Sequence, residues 1–200
     1  MKLQLAIDRT ELNETFELIN QMDGIVDIIE IGTPLIKRFG MNAFANLNLQ
    51  KSKLLLDLKT ADESDFEFKK GYQVGADILT IMAITSFKEI QKAYDISQKQ
   101  KKEILIDLLE VSDEKIKQLL VFDRAIFALH NDSSIDAAKS VRELHQKFPT
   151  IKRIGVAGGI DLKSAKEVAQ DNIAEIVIVG GSILKANNPL NASEKFKEVL

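Results

Sequence analysis

Cysteine is absent from the chain, which rules out a disulfide framework and a thiolate metal site. Also lacking is a basic face: acids and bases are mixed along the sequence, the formal net charge is −3 and the pI is about 5.5. Neutralising a phosphate backbone takes clustered Lys and Arg, so nucleic acid is not an expected partner. No apolar stretch approaches the roughly 20 residues that span a bilayer, and no membrane partner is expected. Met1 leads straight into the strand-like LQLAI with no charged leader or cleavage site, as expected of a soluble, cytoplasmic protein. Neither a Pro/Gly/Ser-rich linker nor a low-complexity tract divides the 200 residues. With 45% hydrophobic content the chain can bury a sizeable core, and a single domain over residues 1–200 is expected.

What the chain does have is a repeated alternation. Eight short apolar runs follow one another at fairly even spacing: LQLAID, VDIIEIG, KLLLDLK, DILTIMA, EILIDLL, RAIFALH, IKRIGVAGG and EIVIVGG. Most are almost continuously hydrophobic, as strands covered on both faces are. Helical periodicity fills the gaps. Phe68, Gly71, Tyr72 and Gly75 fall at i, i+3, i+4 and i+7 of one such segment, and SVRELHQKF and DLKSAKEVAQ repeat the pattern. Asp62, Ser112, Ser134 and Asp161 stand between a strand and a helical pattern, where N-caps belong. A last amphipathic helix is expected in LNASEKFKEVL. Strands alternating with helices pair in parallel through right-handed crossovers. The count of eight favours an α/β fold of (β/α)8 TIM-barrel type over an open doubly wound sheet.

Barrels of this kind assemble their active sites at the C-terminal ends of the strands. The run ends carry Asp8, Glu30, Asp57 with Lys59, Asp107, His130, Gly158-Gly159 and Gly180-Gly181. Asp57 and Lys59 are two apart, so their side chains share a face, while Leu56 and Leu58 take the opposite one. Taken singly, each has a plainer reading. Asp62 is a helix cap, His130 a hydrogen-bonded structural histidine, Asp107 either structural or functional, and His145 a surface residue on a helix. Glu30 is harder to dismiss, because its isoleucine neighbours imply burial and a buried charge needs a partner. Several carboxylates at one mouth repel unless cations join them. Lys59 is one such cation, and Mg²⁺, which takes one or two carboxylates plus substrate oxygens and water, would be another. The combination suits proton removal next to a carbonyl with stabilisation of an enediolate.

GVAGGI and IVGGSI end the last two runs. Backbone without side chains lets an anion approach closely, and barrels frequently hold phosphate at the loops after strands seven and eight. Gly158, Gly159, Gly180 and Gly181 are therefore the candidate phosphate-binding residues, against the alternative of tight turns chosen only for backbone freedom.

These stretches together resemble a known family. LQLAID, VDIIEIGTPLI, the Asp-x-Lys-x-x-Asp of DLKTAD, GAD before strand four, ILIDLLEV, the strand-six histidine, VAGGI and VIVGGSI occur in the order found in the orotidine 5′-monophosphate decarboxylase superfamily. The chain is most similar to its 3-hexulose-6-phosphate synthase and 3-keto-L-gulonate-6-phosphate decarboxylase branch, over essentially its whole length. The resemblance implies a ribulose-phosphate-binding barrel acting as a homodimer, with Mg²⁺ and a sugar phosphate substrate. It implies that Glu30 and Asp57 bind the metal and that Lys59 lies beside the enediolate. Asp8 contacts substrate, Asp62 reaches the neighbouring subunit's site, and His130 is the acid–base group. Gly158, Gly159, Gly180 and Gly181 hold the phosphate.

Between the two branch members, the decarboxylase has an arginine where this chain has Ser133, and Gly-Arg where this chain has Gly180-Gly181. Both differences favour the synthase, an aldol lyase that joins formaldehyde to D-ribulose 5-phosphate. HNDSSID in place of the synthase's usual His-Thr-Gly-Tyr-Asp, and Ala83 in place of a strand-four glycine, mark departures around the substrate. The alternative is a sugar-phosphate carboxy-lyase, and the third possibility is a barrel that binds a sugar phosphate without turnover.

Overall fold

In the computed structural model, residues 1–45, 47, 49–132 and 134–200 are described; Ser133, named above, lies outside them. The apolar runs form β1 (Lys2–Ile7), β2 (Ile28–Ile31), β3 (Lys53–Thr60), β4 (Ile78–Met82), β5 (Glu103–Asp107), β6 (Ile126–His130), β7 (Ile154–Ala157) and β8 (Ile176–Val179). Each pairs in parallel with the next and β8 returns to β1, closing a barrel in chain order. The helical segments are α1 (Leu12–Met22), α2 (Thr33–Phe39), α3 (Ser64–Gln73), α4 (Phe87–Gln100), α5 (Asp113–Leu119), α6 (Ala137–Lys147), α7 (Leu162–Asp171), a single turn α8 (Gly181–Leu184) and α9 (Pro189–Val199). The fold is the expected (β/α)8 barrel.

Continuous hydrophobicity in the strands is explained by two cores. The larger lies between sheet and helices and takes Leu5, Ile29, Leu56, Leu79, Ile106 and Val177 from the outward faces. A smaller one fills the barrel itself, built from Ile28, Leu55, Ile78, Leu105, Ile126, Ala128 and Ile176. Over these residues both faces of the strands are dry, which removes the polar/apolar alternation a half-exposed strand would have.

Two of the four expected caps are in place: Ser112 accepts from the Lys115 N–H, and Asp161 accepts from the Ser164 N–H in a reciprocal capping box. The other two are corrected. At α3 the cap position is Glu63, not Asp62, and the free Ser64 N–H donates to Glu89 Oε2 of α4 at 3.3 Å. At α6 the cap is Asp136, which accepts from the Lys139 N–H. Ser134 instead donates through its N–H and hydroxyl to Asp132. Gly75 also falls outside its helix, in the turn after α3 with φ +109°, a conformation that suits glycine and stops a helix. His145 is half-buried rather than a surface residue.

The strand starts at the other end of the barrel carry a chain of ion pairs. Lys2 and Arg153 both meet Glu175 at 2.7 Å, Arg153 meets Glu103 at 2.6 Å, and Glu103 also pairs with Lys53.

Candidate active site

The pleat explains how polar groups reach the mouth of an apolar barrel. Residues two apart on a strand share a face. Starting from the interior residues Ile28, Leu55, Ile78, Leu105, Ile126 and Ile176, one step along each strand gives Glu30, Asp57, Thr80, Asp107, Ala128 and Ile178. All six line one cavity of about 840 Å³ at the C-terminal ends of the strands. β1 contributes Gln4, Ala6 and Asp8 to the same wall, and β6 adds His130.

β3 leaves regular geometry here. Leu56 pairs with Leu79 and Thr60 with Ile81, so Asp57, Leu58 and Lys59 stand opposite Thr80 alone. In this bulge Lys59 has φ +48°, a left-handed conformation that costs a non-glycine residue on the order of 1 kcal/mol. Thr80 holds the bulge, accepting from the Lys59 N–H at 2.9 Å and donating to Asp57 Oδ1 at 2.8 Å. Thr33, at the start of α2, donates to Asp57 Oδ2 at 2.7 Å. Asp57 is thereby fixed from two sides, and the re-aimed Lys59 ammonium lies 3.5 Å from Asp57 and 2.5 Å from Asp107.

Asp107 connects that pair to the histidine, with His130 Nδ1 at 3.6 Å from its carboxylate. This is an ion-pair distance rather than a hydrogen bond. The Asp107 carboxylate raises the His130 pKa above its ordinary value against the effect of burial. Burial works to raise Asp107 itself, but His130 and Lys59 outweigh it and hold the carboxyl low. Lys59 is desolvated too, yet Asp57 and Asp107 keep it charged more firmly than a free lysine. Burial and then the Asp57 charge raise Asp8.

Glu30 is the outlier. It is 8% exposed, and burial, with the nearby Asp57 charge adding to it, pushes its pKa up to about 8. The Gln4 amide donates to Glu30 Oε2 at 2.6 Å, while Gln4 Oε1 is buried without a partner. Glu30 and Asp57 thus offer two hard oxygen ligands on one wall, with the Lys59 ammonium beside Asp57. Among the described residues no group of three or more His, Cys, Asp or Glu is arranged to hold a metal. Two carboxylates completed by substrate oxygens and water are the donor set Mg²⁺ accepts, so these residues fit the ion.

Of the ten candidate site residues, nine line this cavity: Asp8, Glu30, Asp57, Lys59, His130, Gly158, Gly159, Gly180 and Gly181. Asp62 does not; it is exposed on the loop before α3. Gly158 and Gly159 have φ of +107° and +62°, and a Cβ on Gly158 would lie 2.0 Å from the Asn131 carbonyl oxygen. Gly32 is similarly confined, for a Cβ there would lie 2.0 Å from Asp8 Oδ1. Sequence reasoning missed Gln4, Thr33 and Thr80. The available signal for Gln4 and Thr80 was a lone polar residue inside an apolar run, in phase with the carboxylates.

The model of the orotidine 5′-phosphate decarboxylase / HUMPS family matches residues 1–196. The chain belongs to this family. A curated family relative from Staphylococcus saprophyticus, named 3-hexulose-6-phosphate synthase 2, is 33% identical over 208 aligned residues covering all of this chain and 97% of the relative. The 3-hexulose-6-phosphate synthase of Bacillus subtilis is 32% identical, with 100% and 99% covered. Among solved structures, the 3-hexulose-6-phosphate synthase of Salmonella typhimurium superimposes with a TM-score of 0.92 at 28% identity, over 100% of this chain and 98% of that one. Within the family the chain stands among lyases, and the expectation of an enzyme is borne out.

Proposed function

We propose that this chain is an aldol lyase of the 3-hexulose-6-phosphate synthase type, condensing formaldehyde with D-ribulose 5-phosphate through an enediolate. The observation that carries the reading is the Asp57–Lys59–Asp107–His130 series on the cavity wall. It sets a fixed cation beside a histidine able to exchange protons, and the names of the full-length relatives supply the substrate class.

In this reading His130, neutral above its raised pKa, takes the C1 proton of ribulose 5-phosphate. The C–H electron pair becomes the C1=C2 bond, and the carbonyl oxygen takes the negative charge beside the Lys59 ammonium. C1 then bonds to the formaldehyde carbon, the carbonyl re-forms, and the former formaldehyde oxygen receives the proton from His130. Glu30 and Asp57 would hold Mg²⁺, which supplies further positive charge next to the sugar oxygens. Asp8 contacts the sugar, and the glycine turns at Gly158-Gly159 and Gly180-Gly181 seat the phosphate.

The enzyme acts as a homodimer in this reading. Asp62 is exposed and does not line the cavity of its own chain, and in this reading it belongs to the partner's. Supporting this, Phe66 and Ile84 are 62% and 60% exposed on α3 and on the loop after β4. The Thr85 hydroxyl ties that loop to Ala61 beside Asp62, so an apolar surface adjoins the carboxylate. A monomer at micromolar concentration in sedimentation would remove Asp62 from the site. A doubly charged sugar phosphate does not cross membranes, so the cytoplasm is the compartment where substrate and enzyme meet.

The test is C1 proton exchange of ribulose 5-phosphate in D₂O, followed by NMR with and without Mg²⁺ and then with formaldehyde. Exchange that needs the ion and turns into a hexulose phosphate on adding formaldehyde is the expected result. CO₂ release from a keto-acid phosphate instead would move the chain to the decarboxylases, and binding without exchange would make it a non-catalytic barrel. Lys59→Ala should lower exchange by about 10²–10³-fold, the usual cost of removing one preorganised charge-stabilising group, with the circular dichroism spectrum unchanged.

A further inference from the structure

The cavity is unevenly charged. Asp8, Glu30, Asp57 and Asp107 crowd the wall from β1 to β5, and the cations on that side are committed. Lys59 sits between Asp57 and Asp107, and His130 beside Asp107. At the β7–β8 side the wall is glycine and apolar backbone. Among the described residues lining this side the one side-chain hydroxyl, Ser182 Oγ, donates to the Ile160 carbonyl at 2.6 Å, so its proton is already used. A dianion seated on this side would face Glu30, Asp57 and Asp107 across the cavity and would have Asp8 beside it, whose Oδ2 lies 4.0 Å from a Cβ built on Gly180, and the glycine amides bring no formal charge.

Lys185 is the exception. It lines the cavity one helical turn after Gly181, donating its N–H to the Gly181 carbonyl at 3.0 Å. Residues four apart on a helix share a face, and the side chain follows that rule. A Cβ built on Gly181 would come within 3.8–4.0 Å of Lys185 Cδ, Cε and Nζ, so the ammonium lies over the glycine turn. Lys185 is exposed and, among the described residues, is in no ion pair. Arg or Lys at a phosphate acts through charge as well as hydrogen bonding, with lysine behaving as a mobile point charge.

We propose that Lys185 is the cation that recognises the phosphate of the substrate, closing over a group seated on the Gly180-Gly181 turn and selecting phosphorylated sugars over neutral ones. The inference rests on the sugar-phosphate reading above and deepens it. Because Lys185 is exposed, its contribution is screened and falls with salt.

The experiment compares wild type with Lys185→Met and Lys185→Arg, using KM and kcat for ribulose 5-phosphate, the inhibition constant of inorganic phosphate, and the salt dependence of both. Lys185→Met should raise KM and the phosphate inhibition constant together by about tenfold, with a smaller change in kcat and a flatter response to salt. Lys185→Arg should restore both constants, and neither variant should move the melting temperature. Unchanged constants in Lys185→Met, with an active wild type, overturn the role of Lys185 and leave the proposed reaction standing. A wild type that turns over no sugar phosphate and is not inhibited by phosphate overturns the reaction itself, and Lys185 with it.

Discussion

A single carboxylate, Asp107, connects the two groups on which the proposed chemistry depends. It pairs with Lys59 at 2.5 Å and stands 3.6 Å from His130, and the contact with its carboxylate is the main reason the histidine pKa is raised. A general base works in its deprotonated form, so activity should climb as pH rises through the His130 pKa, above the histidine's ordinary 6.5. Asp107→Asn removes the charge that holds the proton on His130. The acid limb of kcat/KM should then move to lower pH, while the plateau falls because Lys59 has lost one of its two anchors. A pH–rate profile on both proteins checks this, and an unmoved limb would assign the titration to another group. The residues around this carboxylate differ in how readable they are. Glu30, Asp57 and Asp107 stand out in the sequence because a charge inside an apolar run contradicts its neighbours. Thr80 and Gln4, which hold Asp57 and Glu30, give a weaker signal, since an uncharged polar side chain costs less to bury than a charge does.

At the scale of elements, the strands were legible because burial on both faces leaves a continuous apolar signature, and the helices because their apolar residues recur three and four apart. Irregular features were not. The bulge at Lys59 is stabilised by a β4 hydroxyl rather than by a glycine that would announce it. The start of α3 is satisfied by Glu89 from α4, a partner twenty-five residues away that no local cap rule can supply. The glycine turns separate local need from function. At Gly158, φ is +107° and an added Cβ would collide with Asn131 backbone at 2.0 Å, so the turn after β7 and the chain leaving His130 cannot both stay in place. Gly158→Ala should cost about 1–3 kcal/mol and lower activity by displacing His130. Gly181→Ala meets nothing closer than 3.8 Å and should keep wild-type stability. Urea unfolding of the two variants measures the contrast, and equal midpoints would mean that the turn after β7 relaxes freely.

Over the whole molecule charge gathers at both ends of the barrel, lining the candidate active site at one end and tying strands together at the other. At the strand starts Arg153 joins Glu175 to Glu103, and Lys2 and Lys53 complete the chain of pairs. Arg153, helped by Lys2, holds Glu175 down at about 2 against an ordinary value of 4.5. Glu103 is also lowered, since Lys53 and Arg153 outweigh its burial. A carboxyl whose pKa is depressed by folding stabilises the native state fully above its unfolded value. It loses that contribution as pH falls towards its folded value, because the unfolded chain then binds the proton first. The barrel should therefore lose stability between about pH 4.5 and 2, with Glu175 and Glu103 taking up protons as it opens. Glu175→Gln removes one of those protons. It should be less stable than wild type at pH 7, where two cations lose a shared partner, and its stability should fall less steeply through the acid range. Urea midpoints measured at intervals from pH 7 to pH 2 give both slopes. Parallel profiles would mean that the Glu175 pairs are already formed in the unfolded chain or contribute nothing, and the acid sensitivity would then belong to the carboxylates at the cavity end.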